Sequence, residues 1–425
     1  MISVLFLNTF LTRIFSTILN LILALVIALV IGASGKGESI FIVTIITCTL
    51  YFANLFGNHV LVYTLAKNNF STVYTISFFW SFFIVSIQYV FISLFYTFDV
   101  EYILHLCLLT FIQSLINLFQ ITLLAKQKVK TYNFLTLTQV FLNLLFLLVL
   151  IYGFERASIS SYIIALYLSS FVTLSVSMYS SYEYLKNYKF NIDITEIKAM
   201  IYSGFQYQLF DFLQFIMLRF SVFLLFRFEG KASLGIYSIG LSILEAFWIF
   251  SRSSATISYV KIANQDNEKY SSLLTLELLK ASLIFTAVMI TIFYVMPDQV
   301  YMFIFGKQYQ LLKTYMRWQL PGTFVFNIFI LLSAYFSGKG MVYINLIAAL
   351  VGAFFAILFG YLLILKYEMS GTAFTSTLAY TSGSIILFIF FHKMNNFRPS
   401  DYFIKKLDFI LLKKEIKLLF QKKSI

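Results

Sequence analysis

The stretch from Met341 to Leu365 reads MVYINLIAALVGAFFAILFGYLLIL and carries no charged residue. A helix needs about 20 apolar residues to cross the hydrocarbon core of a bilayer. A strand of a membrane barrel would instead alternate polar and apolar residues, whereas this run is apolar on all sides. Because every backbone polar group must find its partner within the protein in lipid, the run predicts a membrane-spanning helix.

Similar runs recur along the whole chain, separated by charged or Gly/Asn-rich breaks. The 425 residues are 60% hydrophobic and only 12% charged, with a mean hydropathy of +0.87. Soluble domains usually contain about 25% charged residues, so a water-soluble fold is excluded. We expect an all-α integral membrane protein of about twelve transmembrane helices.

The longest internal polar break, EYLKNYKFNIDITEIK, divides the chain into halves. It predicts an N-terminal lobe of six spans over 1–182, a linker over 183–198 and a C-terminal lobe of six spans over 199–392. Weak similarity between the halves favours two parallel repeats related by a pseudo-two-fold axis along the membrane normal. Repeats of this kind enclose a substrate path near the midplane.

The formal charge of +13 reports topology and not nucleic-acid binding, since the lysines and arginines lie in short loops and a basic tail. Most of them fall on one side if the N-terminus is cytoplasmic, so the positive-inside rule places both termini in the cytoplasm. This assignment puts Lys36 in an outside loop. The tail over 393–425 carries three Lys pairs between apolar residues. It is either an interfacial helix attracted to anionic lipid or a solvated anchor.

Ionisable residues inside spans are the strongest functional signal, because each costs about 2.5 to 3.5 kcal/mol at the centre of a span. They therefore usually face a protein interior or a water-filled cavity. Arg13 either joins such a lining or snorkels to the headgroups. Glu245 and Arg252 either line a cavity or neutralise charge on a neighbouring helix. Asp211 and Arg219 lie about two turns apart, too far for a simple contact pair, which favours a polar lining over structural pairing with neighbouring helices.

Amide side chains form a second signal. Those in the lining predicted here are Asn54, Asn58, Gln113, Asn117 and Gln208. Such residues suit sugar hydroxyls, although they also join helices to one another through hydrogen bonds. In the tenth predicted span Pro321-Gly322 predicts a bend or hinge, since proline removes a ladder hydrogen bond.

Catalysis has little support in this sequence. Cys48 and Cys107 lie in apolar runs without metal-ligand spacing, so we expect neither a disulfide nor a metal site. No cluster of His, Asp and Glu suited to acid–base chemistry is visible, and no repeated filter motif predicts a channel. The sequence therefore favours a transporter, not an enzyme, that alternates between two lobes.

Two segments carry a resemblance to a known group. They are GKASLGIYSIGLSILEAFWIFSRSSATISYVKIAN, starting at Gly230, and FIFGKQYQLLKTYMRWQLPGTFVFNIFILLSAYFSGKG, starting at Phe303. Their motif positions are Gly235, Tyr237 and Ser238, then Phe305, Gly306 and Tyr309. The chain resembles the polysaccharide-repeat-unit flippases, of O-antigen or capsule type, in the multidrug/oligosaccharidyl-lipid/polysaccharide (MOP) exporter superfamily.

That resemblance implies a function and a site. The protein would invert an undecaprenyl-diphosphate-linked oligosaccharide from the inner to the outer leaflet of a bacterial plasma membrane. Arg13, Arg219 and Arg252 would form a cationic cavity for the diphosphate. Asp211 or Glu245 would couple H⁺ or Na⁺ movement to inversion, with no other cofactor. Polysaccharide polymerase machinery is an expected partner.

Two alternatives remain open. A drug or cation antiporter of the same superfamily would prefer a cavity dominated by carboxylates, against which the arginines argue. A membrane-embedded glycan polymerase would need a catalytic cluster.

Overall fold

The computed structural model describes residues 2–54, 65, 70–95, 99–186, 190, 194–264, 267–395 and 397–402. Side chains are described from residue 11 onward, with a few further gaps inside helices. The described residues form helices and short connections, without a strand. The predicted all-α class is confirmed.

The helices of the first half are α1 Ile2–Val26, α2 Gly32–Ala53, α3 Phe70–Phe95, α4 Val100–Ala125, α5 Val129–Leu148 and α6 Ile159–Leu185. Single π-helical turns follow α1 and α5, at Ile27–Ile31 and Val149–Gly153.

The helices of the second half are α7 Ile194–Phe228, α8 Gly230–Ala246, α9 Ile249–Ala263, α10 Glu268–Val295, α11 Asp298–Phe305, α12 Leu312–Met316, α13 Leu320–Gly338 and α14 Val342–Asn395. Short 3-10 turns lie at Lys307–Tyr309 and Pro399–Asp401.

Length and composition give the number of membrane crossings. In the described residues nine helical stretches are long and apolar enough to cross a bilayer, and the bent pair α8–α9 makes a tenth. Two of the nine, Leu11–Ala53 with 43 residues and Val342–Asn395 with 54, are about 65 and 80 Å long at 1.5 Å per residue, enough for two crossings each. Counting these two twice gives the twelve crossings that the sequence predicted.

Each of the two long stretches is interrupted where a reversal is needed. Gly32 has a φ of 86° between α1 and α2, and Glu368 has a φ of 53° within α14. The two arms of α14 run antiparallel, since Gly352 lies against the carbonyl of Ala379 and Gly383 against that of Ala348. Gly32 allows its turn because it lacks a Cβ atom.

The helices form two lobes. In the first half α1 packs on α5, α3 on α4, and α6 on α4 and α5; in the second half α7 and α13 pack on α14, and α9 and α10 on α13. The second lobe has an aromatic core in which Trp248, Phe326, Phe329 and Tyr380 are almost completely buried. Between the lobes, α1 and α2 face α7, α8 and α9. We call this contact the seam.

The seam is tightly closed at one end. A Cβ atom at Gly37 would collide with the carbonyl of Lys231, and one at Gly235 with that of Ala33, so glycine lets α2 and α8 touch through their backbones. Lys231 also pairs with Glu38 at 2.7 Å. The other end carries Lys126 and Lys128 between α4 and α5 and is called the lysine-rich end.

One local prediction needs correction and another stays a prediction. Pro321 lies in the first turn of α13, where no ladder hydrogen bond is lost, and the chain leaves helical conformation between Met316 and Leu320, just before it. The hinge predicted at Pro321-Gly322 stays a prediction. Other bends lie at Gly32, at Glu368 and between α8 and α9, where the axis turns by 47°.

The placement of Lys36 in an outside loop is wrong. Lys36 belongs to helix α2 and is only 6% exposed.

The predicted lobe boundaries stay predictions. The predicted linker over 183–198 overlaps the ends of α6 and α7, and 187–189 and 191–193 lie outside the described residues. Of the predicted tail, 403–425 lies outside them as well.

Candidate functional site

Two adjoining pockets of about 310 and 540 Å³ lie in the seam. Both are lined by Thr17 and Asn20 of α1, Glu245 of α8 and Arg252 of α9. We treat the two pockets as one space and call it the cationic cavity. Its walls come from both lobes, so a relative movement of the lobes changes its shape.

Arg219 and Glu245 form an ion pair inside this cavity. Arg219 Nη1 lies 2.8 Å from Glu245 Oε1, and Nη2 donates to Oε2 at 3.0 Å. The pair joins α7 to α8, and its side chains are 25% and 22% exposed. One of the alternatives considered for Glu245, neutralising charge on a neighbouring helix, is therefore what the structure shows. The two parallel contacts fix the guanidinium plane.

Lys36 is the functional residue that sequence reasoning missed. It lines the cationic cavity beside Arg219 and Glu245, lies within electrostatic range of Arg219, and has no acidic partner among the described residues. The surrounding GASGKGES looks like a loop because of its glycines. The small residues Ala33 and Gly37, four apart, are the signal that could have indicated a packed helix.

Arg13 and Arg252 lie nearer the lysine-rich end of the cavity. Arg13 Nη1 donates to Thr256 Oγ1 at 2.9 Å and to the carbonyl of Arg252 at 3.4 Å. These bonds cross the seam from α1 to α9, so Arg13 does more than snorkel toward headgroups. The Arg252 guanidinium lies 5.7 Å from the Trp248 ring centre.

The cavity has a strong charge imbalance. Its described lining holds four cationic side chains, Arg13, Lys36, Arg219 and Arg252, and one carboxylate, Glu245. Arg13 and Arg252 are exposed, Arg219 is partly exposed and Lys36 is buried. The exposure of these cations therefore falls from the lysine-rich end toward the closed end. Charges in a cleft with low-dielectric walls attract ions of opposite sign strongly.

A separate pocket of about 190 Å³ has the opposite character. It is lined by Thr47, Leu50, Tyr51, Asn54, Asn117, Gln208 and Asp211. No Lys or Arg belongs to this lining, and none among the described residues pairs with Asp211. Gln208 Nε2 donates to the carbonyl of Tyr51, which leaves its Oε1 oxygen available. We call this space the acidic pocket.

The remaining predicted lining residues have other positions. Gln113 accepts a hydrogen bond from Gln139 at 2.8 Å, so it joins α4 to α5 and lines none of the pockets described above. Asn58 lies outside the described residues. In the part of the chain that the structure describes, no group of three or more His, Cys, Asp or Glu is placed to hold a metal ion.

Comparison with known proteins gives matches at the level of structure. No family model matches the sequence, and no curated protein matches it as a relative. The lipid II flippase MurJ, in an inward closed conformation, superposes with a TM-score of 0.71 and 16% identity, over 94% of this chain and 89% of that one. The chain has the fold of MOP-superfamily transporters.

Two further structures extend the match to the MOP fold. An inward-facing multidrug resistance MATE family transporter of the MOP superfamily gives a TM-score of 0.66 with 14% identity, covering 93% of this chain and 94% of that one. A MOP superfamily transporter from Pyrococcus furiosus gives a TM-score of 0.60 with 13% identity, over 93% of this chain and 96% of that one. That protein is described as having a binding pocket of reverse polarity that suggests a different function. At such identities the comparisons show the MOP fold and do not identify the substrate.

Proposed function

We propose that this multi-pass membrane protein is a flippase for an undecaprenyl-diphosphate-linked oligosaccharide. The observation that carries the proposal is the net positive charge of the cavity between the lobes. Four cationic side chains share that lining with a single carboxylate. A drug cation would be repelled there, whereas a diphosphate finds an excess of donors.

The chemistry of the lining fits both parts of such a substrate. Arginine forks match phosphate oxygens bidentately, and lysine binds phosphate as a point charge. The larger of the two pockets, of about 540 Å³, adds hydroxyl and amide groups: Thr12, Ser16, Thr17, Asn20, Tyr132, Asn133 and Thr136. Groups of this kind exchange hydrogen bonds with sugar hydroxyls. We place the diphosphate at the cations and the glycan toward the lysine-rich end.

Direction and location follow from the same proposal. The lysine-rich end faces the cytoplasm by the positive-inside rule, so the cavity receives its substrate from the inner leaflet of a bacterial plasma membrane. Outward release then requires α2 to separate from α8 at Gly37 and Gly235. MurJ, named as a lipid II flippase, shares this fold, which supports a lipid-linked substrate.

The acidic pocket supplies a site for a coupling ion. Carboxylate and amide oxygens are ligands that hard cations prefer, and Asp211 lies among Asn54, Asn117 and Gln208. The C-terminal end of α2 at Asn54 adds the negative end of a helix dipole. We assign coupling by Na⁺ or H⁺ to Asp211 and not to Glu245, whose oxygens are already engaged by Arg219.

Drug or cation antiport is the second candidate, and the acidic pocket is the observation that favours it. The MATE neighbour is named as a multidrug resistance transporter, and the Pyrococcus furiosus protein is described as having a binding pocket of reverse polarity that suggests a different function. The smaller size of the acidic pocket, about 190 Å³ against 310 and 540 Å³, suits an ion better than a drug.

Deletion of the gene separates the two candidates. We expect loss of a surface glycan and accumulation of complete lipid-linked repeat units on the cytoplasmic face, restored by the wild-type gene. A control strain carries the Arg227→Gln variant, whose arginine is exposed in the last turn of α7, and exports normally. Unchanged glycan with altered drug sensitivity would instead establish antiport.

A further inference from the structure

Glu245 occupies the donors that a phosphate would use. Its two oxygens take Nη1 and Nη2 of Arg219 at 2.8 and 3.0 Å, the same parallel geometry in which a guanidinium binds phosphate. An incoming anion can use this Nη1–Nη2 edge of Arg219 only by displacing the carboxylate, although a guanidinium has five N–H donors in all. Without displacement, Lys36 is the cation beside the pair that has no acidic partner in the described chain.

Lys36 has an uncompensated charge. It is 6% exposed, lines the same pocket as the pair and has no acidic partner in the described chain. A buried charge is costly unless it is paired. One added negative charge therefore satisfies Lys36 and leaves the Arg219–Glu245 pair undisturbed.

Glu245 also has a second cation within the cavity. Arg252 lines both pockets together with Glu245, and its guanidinium has no acidic partner among the described residues. Glu245 and Arg252 are seven residues apart in sequence, on either side of the 47° bend between α8 and α9. Their side chains face the same space, since both line the two pockets. A Glu245 carboxylate released from Arg219 can move to Arg252.

We propose that Glu245 sets a charge threshold: a diphosphate displaces it from Arg219, whereas a monophosphate diester does not. A phosphate diester carries one negative charge, and replacing Glu245 with it exchanges one anion for another without electrostatic gain. A diphosphate diester carries two charges, so it binds Lys36 and Arg219 together while Glu245 moves to Arg252. This inference rests on the proposed function and assigns to Glu245 the discrimination between diphosphate and monophosphate lipids.

The test uses the purified full-length protein and two probes with the same lipid and sugar. Farnesyl diphosphate N-acetylglucosamine carries the diphosphate diester, and farnesyl phosphate N-acetylglucosamine carries the phosphate diester. We expect the wild type to bind the first at least about tenfold more tightly, a difference typical of one charged hydrogen bond. In Glu245→Gln the phosphate diester reaches Arg219 without displacing a carboxylate, so its affinity is expected to rise about tenfold or more over the wild type, where it is confined to Lys36.

Two further variants keep the result interpretable. Glu245→Asp retains the carboxylate and is expected to keep the wild-type affinity for the phosphate diester, which shows that charge is responsible and not damage to the fold. Glu268 lies away from the cavity and pairs with Lys339 at 3.1 Å. The Glu268→Gln variant is therefore expected to behave like the wild type.

The outcomes separate the two proposals. Equal binding of both probes by the wild type, or an unchanged phosphate-diester affinity in Glu245→Gln, overturns the charge threshold alone. Failure of the wild type to bind either probe overturns the proposed function together with the threshold.

Discussion

The cationic cavity and the acidic pocket share helices α2 and α7, yet they have opposite polarity. Helix α7 contributes Arg219 to one and Asp211 to the other, eight residues or about 12 Å apart along the axis. Helix α2 likewise contributes Lys36 to the cationic cavity and Tyr51 to the acidic pocket. The sites proposed for the anionic substrate and for the coupling cation are therefore separate.

The largest effect is expected from Arg219→Gln, because it leaves Glu245 unpaired in the seam. Breaking a buried pair costs about 3 to 5 kcal/mol, and loss of the fork lowers substrate transport about a hundredfold. Thermal unfolding in detergent and glycan export measure the two effects. Adding Glu245→Gln in the same chain should recover most of the stability but not the transport, while recovery of both would remove Arg219 from the binding site.

Lys36→Gln separates binding from stability. Because Lys36 has no acidic partner among the described residues, its removal leaves no carboxylate unpaired. The variant is therefore expected to unfold at an unchanged or higher temperature, opposite to Arg219→Gln. Diphosphate affinity should fall about ten- to a hundredfold, as expected for a charged hydrogen bond of about 1.5 to 3 kcal/mol. Lys231→Gln, which removes a lysine paired with Glu38 at the closed end, is the matched control for affinity. Equal loss of affinity in both variants would indicate a general charge effect.

Asp211→Asn tests whether the acidic pocket is a separate site. We expect diphosphate affinity to stay within about threefold of the wild type, because Asp211 is not part of the cationic cavity, and transport to lose its dependence on Na⁺ or pH. Transport in sodium and choline media over a range of pH is the measurement. Asp298→Asn, at the start of α11 and 4.0 Å from Lys313, should keep that dependence. Retention of ion dependence in Asp211→Asn would place coupling elsewhere.

The smallest effect is expected from Gln113→Leu, which removes a hydrogen bond inside the first lobe. Interhelical bonds of this type contribute about 0.6 kcal/mol on average, so stability should fall slightly and transport should not change. A double-mutant cycle with Gln139→Leu measures the pair. A large loss of transport would return Gln113 to the substrate path.

The sequence could predict the helices, since each crossing is a local run of apolar residues. It could also identify Arg219, Arg252, Asp211 and Glu245, because ionisable groups within such runs are rare. The pairing of Arg219 with Glu245 could not be predicted, as it depends on the relative rotation of α7 and α8. Lys36 was missed because the glycines around it are typical of loops, whereas here they serve close packing between α2 and α8.

The most direct test of the central claim is a flipping assay in proteoliposomes. A fluorescent undecaprenyl-diphosphate oligosaccharide is incorporated in the bilayer, and its appearance in the opposite leaflet is followed by quenching, with a cationic dye as the competing substrate. The account predicts that the wild type inverts the lipid, that Arg219→Gln inverts it about a hundredfold more slowly, and that the dye is not moved. Transport of the dye without inversion of the lipid would contradict it.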